Sequence, residues 1–98
     1  MATVRIPTHP GALLREDVIP ALGKPITEIA ASLGISRQTL HKIMAEEAPI
    51  TPAMAVRLGK YLGNGPNLWI GMQVRHDIAK AQVELANTLK KIPTVPAA

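Results

Sequence analysis

Four polar side chains in the stretch LGISRQTLHKIM, Arg37, Gln38, His41 and Lys42, are the residues whose types and spacing point most clearly to chemistry. They are interleaved with Leu40 and Ile43. On a helix that apolar pair turns inward and the polar four look outward. An arginine fork matches guanine O6 and N7, and a glutamine amide matches adenine N6 and N7. Lysine supplies a point charge that suits either a base or a phosphate. Ser36 and Thr39 place hydroxyls beside the free N–H groups of a helix start, a combination suited to an anion. Thr27 is placed for a second phosphate at the start of the preceding helix.

Other reactive groups do not assemble into a site. His9, His41 and His76 are far apart in sequence, and His76-Asp77 are neighbours that face different directions on a helix. Without a ligand cluster or any cysteine, no metal site is expected. Ser32 and Ser36 lack a nucleophile's context, and no glycine-rich phosphate loop occurs. His9 reads as a cap or buttress of the first helix, His76 as a satisfied core or interface histidine, and Glu16-Asp17 beside Arg15 as a solvated face. Trp69 and Met72 read as apolar packing. No catalytic residue, cofactor or enzymatic activity is expected.

Helical elements must position the polar four. Leu13, Leu14 and Val18 set the first helix from Pro10, capped by Thr8 or His9 and stopped at Pro20. Ile26, Ile29, Ala30 and Leu33 stripe the second, which Gly34 ends. Ser36 caps the third, over Arg37 to about Ala45. Thr51 caps the fourth, Pro52 opens it, and Met54, Ala55, Leu58 and Leu62 face inward until Gly63 closes it. The fifth starts near Pro66 and is the longest. It repeats Trp69, Met72, His76, Ala79, Val83 and Ala86, with a second apolar strip at Ile78, Leu85, Leu89 and Ile92. Two strips exceed what one small core uses, so a partner surface is expected there.

Residues 26 to 43 carry the pattern of a helix-turn-helix. Ala30 is small where the second helix crosses, Gly34 makes the sharp turn, and Ile29, Leu33, Ile35, Leu40 and Ile43 form the buried seam. In such a motif the outer face of the second helix enters the DNA major groove with its N-terminus leading.

The whole chain sets bounds consistent with this. Its 98 residues predict one domain, divided as an arm over 1–9, a helical domain over 10–92 and a frayed tail over 93–98. A hydrophobic share of 47% excludes a disordered chain. No run approaches the roughly 18 apolar residues of a membrane span, so no membrane partner is expected. MATVRIPTHPG offers no apolar signal-peptide core, and with no cysteine a cytoplasmic location is expected. A net charge of +4 inclines the chain to polyanions. Tyr61 and Trp69 are the only aromatics of the Phe, Trp and Tyr class, which favours a duplex over a stacked single strand.

HPGALLREDVIPALG, the two-helix motif and ITPAMAVRLGKYLGNGPNLWIGMQVRHDIAKAQ together resemble the HigA antitoxin family, within the XRE/Cro-like helix-turn-helix group, over roughly residues 8 to 82. The distinctive parts are His9-Pro10-Gly11, Ile50-Thr51-Pro52, and the run from Leu68-Trp69 through Gln73 to Asp77. The resemblance implies an all-α, five-helix, lambda-repressor-like fold with a long C-terminal helix. It also implies a homodimer on the palindromic operator of its own operon, and neutralisation of a HigB toxin, a RelE-like enzyme that cleaves mRNA on ribosomes. The family also includes solitary regulators. Two departures stand out. Lys24-Pro25 replaces a Ser-like cap, and Glu46-Glu47 replaces the common Asn-Gly and basic residue, so the two acids repel phosphate unless they point away or pair with Arg57 or Lys60.

The residues assigned to DNA are therefore Thr27, Ser36, Arg37, Gln38, Thr39, His41 and Lys42, and those assigned to a dimer surface are Trp69, Val83, Leu85 and Leu89. The competing reading is an interaction module that has lost DNA binding, motivated by Glu46-Glu47 and by the extra apolar strip.

Overall fold

The computed structural model describes residues 5–96, so residues 1–4 of the arm and the last two residues of the tail lie outside it. Among the described residues there are six helices and no strand. α1 is built of Pro10–Leu13, a π-helical turn Leu14–Val18, and Ile19–Leu22. α2 is Ile26–Leu33, α3 Arg37–Met44, α4 Pro52–Leu62, α5 Asn67–Glu84 and α6 Ala86–Leu89. The all-α architecture is the one expected.

Caps account for the boundaries. His9 Nδ1 accepts the Gly11 N–H at 2.9 Å, Ser36 Oγ that of Thr39 at 3.0 Å, and Thr51 Oγ1 that of Met54 at 3.1 Å. Each satisfies one of the donors a helix start leaves free. Pro25 caps α2 without a side-chain bond, and its carbonyl takes the N–H groups of Glu28 and Ile29.

Two boundaries differ from expectation. α1 runs through Pro20 instead of stopping there. The Ile19 N–H reaches Leu14 O, five residues back, in the wide π turn. Pro20 then falls at the head of a new α segment, where a missing N–H costs little. The fifth helix ends at Glu84, with Leu85 at φ −98°, ψ 9°, and α6 is a single turn. Beyond Ala81 every described residue is exposed. Helical stability in proteins comes mostly from packing, and this segment has no core beneath it.

The core gathers Leu14 from α1, Ile29, Ala30 and Leu33 from α2, Leu40 and Ile43 from α3, Met54, Ala55 and Leu58 from α4, and Trp69 from α5. Each large apolar side chain of this set contributes about 1.5–3 kcal/mol by leaving water. Trp69 was assigned to a dimer surface from its register. It is 1% exposed and belongs to its own chain's core, with its indole N–H donated to Asn64 Oδ1 at 3.2 Å. Gly11 lets α1 sit directly on α3, since a Cβ there would collide with the Ile43 carbonyl.

Candidate nucleic-acid interface

The α2–turn–α3 unit has the geometry its sequence requires. Gly34 sits in the left-handed region at φ 73° and ψ 31°. Its N–H reaches Ala31 O at 3.1 Å, and the Ile35 N–H reaches Ala30 O at 3.0 Å. This double closure turns the chain sharply and leads into the Ser36 cap. Of the seam residues, Ile29, Leu33, Leu40 and Ile43 are buried, while Ile35 is half-buried.

With Leu40 and Ile43 inward, Arg37, Gln38, Thr39, His41 and Lys42 are all exposed. Ser36 is also exposed, and its hydroxyl shares a 2.8 Å hydrogen bond with Thr39 Oγ1. Thr27 is exposed in the first turn of α2. Among the described residues neither Arg37 nor Lys42 is in an ion pair. The result is a rigid, capped helix that presents a guanidinium, an amide and an ammonium on one open face. That is a donor and acceptor set for base edges and phosphates.

Of the acidic pair after α3, Glu46 is held by α1. Arg15 of α1 holds Glu46 at 3.2 Å and donates to Met44 O at 2.7 Å, so the partner is neither Arg57 nor Lys60. Glu46 has φ 63°, a left-handed backbone that suits Asn or Gly better.

Two buried polar groups support the site from behind. Sequence reasoning missed Gln73 because it set Met72 and His76 on the apolar stripe. Gln73 Oε1 accepts the Ile50 N–H at 2.7 Å, and its amide donates to Asp77 Oδ1 at 3.0 Å. Its spacing of four residues from Trp69 and its place in the run from Leu68 to Asp77 were the signals for it. His9 is 5% exposed and packs edge-on against His76, with ring centroids 5.0 Å apart. His76 Nδ1 lies 2.7 Å from Pro7 O, anchoring the segment before α1. Burial, and then His76, hold His9 below the usual imidazole range, partly offset by Glu46 and Asp77. Among the described residues no group of three His, Cys, Asp or Glu could hold a metal ion.

Of the remaining assigned residues, Val83 lies on α5, Leu85 at the break and Leu89 on α6. Val83, Leu85 and Leu89 are 49%, 46% and 45% exposed, an apolar surface with nothing packed on it in a single chain.

The helix-turn-helix family model matches residues 14–69, which runs from α1 to the start of α5 and contains the whole motif. The chain belongs to the helix-turn-helix family. This is a family of DNA-binding regulators and antitoxins, not of enzymes. Within the family the chain is 31% identical over 97 residues to virulence-associated protein A of Dichelobacter nodosus, covering 98% of this chain and 95% of that one. Antitoxin GraA in complex with its operator superposes with a TM-score of 0.87 at 26% identity, over 100% of this chain and 99% of that one. The Pseudomonas aeruginosa antitoxin HigA with the higBA promoter gives a TM-score of 0.84 at 25% identity, over 93% and 99%. The resemblance to HigA antitoxins thus extends along the helix-turn-helix chain from the segment before α1 to the C-terminal helices. No helix among the described residues is long and apolar enough to cross a membrane.

Proposed function

We propose that this protein is an operator-binding antitoxin that works as a homodimer and represses its own operon. The observation that carries the reading is α3, a capped helix whose exposed face holds Arg37, Gln38 and Lys42 free of ion pairs among the described residues. Its N-terminus enters the major groove. Arg37 and Gln38 read bases, and Lys42 is shared between base and phosphate. Ser36, Thr39 and Thr27 take phosphates, and His41 lies along the groove wall. Similarity to antitoxins with operator or promoter DNA supports this reading. Val83, Leu85 and Leu89 pair two copies, and the paired α3 helices meet half-sites about 34 Å apart. The antitoxin partner is a HigB-like mRNA-cleaving toxin, bound directly.

The test is a gel shift with the duplex upstream of the gene, run with competitor DNA at two salt concentrations. Binding that survives competitor and weakens with salt is expected. Arg37→Ala lowers affinity by roughly 1–3 kcal/mol and relaxes one base position. Absence of binding at either salt would overturn the DNA reading in favour of a protein-interaction module. For the toxin, growth arrest by the neighbouring gene's product should be relieved by this chain. A neighbour without toxicity would leave a solitary regulator.

A further inference from the structure

Each of the last carbonyls of α2 needs a donor, and the turn supplies backbone donors for Ala30 and Ala31. Leu33 O is served from another helix. Arg57 of α4 donates from Nη1 to Leu33 O at 2.8 Å and to Gly34 O at 3.3 Å. Among the described residues these are the hydrogen bonds that join α4 to the two-helix motif. A cation at a helix C-terminus is also favoured by the helix dipole. The same guanidinium lies over the turn, because a Cβ on Gly34 would come 2.6 Å from Arg57 Nη1. Gly34 is thus required for its left-handed backbone, and a Cβ there would also push the guanidinium tip off its seat over the turn.

α3 is open on its α4 side. A groove of about 270 Å³ separates Ile35, Thr39 and Ile43 from Ala53, Met54 and Arg57. Side-chain packing alone therefore leaves the outer part of α3 unbraced towards α4, and the Arg57 Nη1 group at the turn, shared between two carbonyls, is the polar tie across that gap. Among the described residues no carboxylate pairs with Arg57, so its charge is spent on the two carbonyls.

We propose that Arg57 is a positioning residue for DNA reading: by clamping Leu33 O and Gly34 O it fixes the angle at which α3 leaves the turn. The inference rests on α3 being the DNA-reading helix. It assigns to Arg57 a share of sequence discrimination without a base contact of its own.

The experiment titrates the full chain with operator duplex and with a scrambled duplex of equal length, across a salt series, for the native protein, Arg57→Ala and Arg57→Lys. Loss of the clamp should lower operator affinity roughly tenfold, the size of a hydrogen bond to a charged group. Scrambled-duplex affinity and the salt slope should stay unchanged. A lysine ammonium keeps the charge and the donors but sits on a shorter side chain, so Arg57→Lys should fall between the native protein and Arg57→Ala. It also serves as the readout if Arg57→Ala does not hold native helix content by circular dichroism. Equal loss on both duplexes with a salt slope smaller by about one would overturn positioning and make Arg57 a phosphate contact. An unchanged operator-to-scrambled ratio would also overturn it. Native protein that shows no operator preference would instead sink the DNA reading itself.

Discussion

At the scale of single residues, the chain separates side chains that face out to solvent from side chains that hold the fold. Arg37 and Gln38 do the first, while the buried His9 and Gln73 and the exposed but paired Arg15 do the second. His9 gives a pH dependence with a definite sign. Its Nδ1 must carry a lone pair to accept the Gly11 N–H, and burial keeps the folded value below the ordinary imidazole pKa of about 6.5. The unfolded chain therefore takes up the proton first. The stability is fully present above the unfolded value and is lost as pH falls through the folded one. Urea midpoints should drop between pH 7.5 and 5, and His9→Asn, which caps without titrating, should flatten that drop. An equal drop in the variant would assign the effect to other groups. Gln73→Ala leaves the buried Ile50 N–H without a partner and should cost about 1–3 kcal/mol in denaturant unfolding.

At the scale of elements, α3 depends on how its two ends are closed. Ser36 holds the start of α3, and Arg15 takes the Met44 carbonyl at its end. Ser36→Ala should destabilise the protein by about 1 kcal/mol, since it removes the cap to the Thr39 N–H. It should also weaken DNA binding beyond its loss of stability, because the hydroxyl sits where a phosphate is expected. A variant with lowered melting temperature and native affinity would make Ser36 a cap only. The π turn in α1 belongs to the same scale. Pro20 reads as a stop in any local rule, yet the extra residue in that turn moves it to a place that tolerates proline.

At the scale of the whole molecule, the apolar residues of α5 and α6 are left over once the core is full. Ile78, Val83, Leu85, Leu89 and Ile92 are exposed and are expected to be covered by a second copy. If the proposed dimer pairs here, Leu85→Asp combined with Leu89→Asp should give a monomer in light scattering and lower operator affinity, because each monomer reaches one half-site. Unchanged mass would place the dimer contact on another face, the segment before α1 being the next to test.

Much of this protein was legible without coordinates because its signals are local. A serine three residues before the N–H it caps, a glycine that must turn left-handed, and apolar residues at helical spacing fix the helices and the outward direction of Arg37, Gln38, His41 and Lys42. What sequence left undecided depends on contacts between distant residues, which no short-range periodicity records. Trp69 fits a surface stripe and a core equally well in register, and only the packing of α5 on α4 puts it inside. Arg57, Arg15 and Gln73 look like ordinary polar residues until the fold brings Leu33 O, Glu46 and the Ile50 N–H within hydrogen-bonding distance of them. Where the fifth helix breaks was likewise decided in three dimensions, by the point at which the core beneath it runs out.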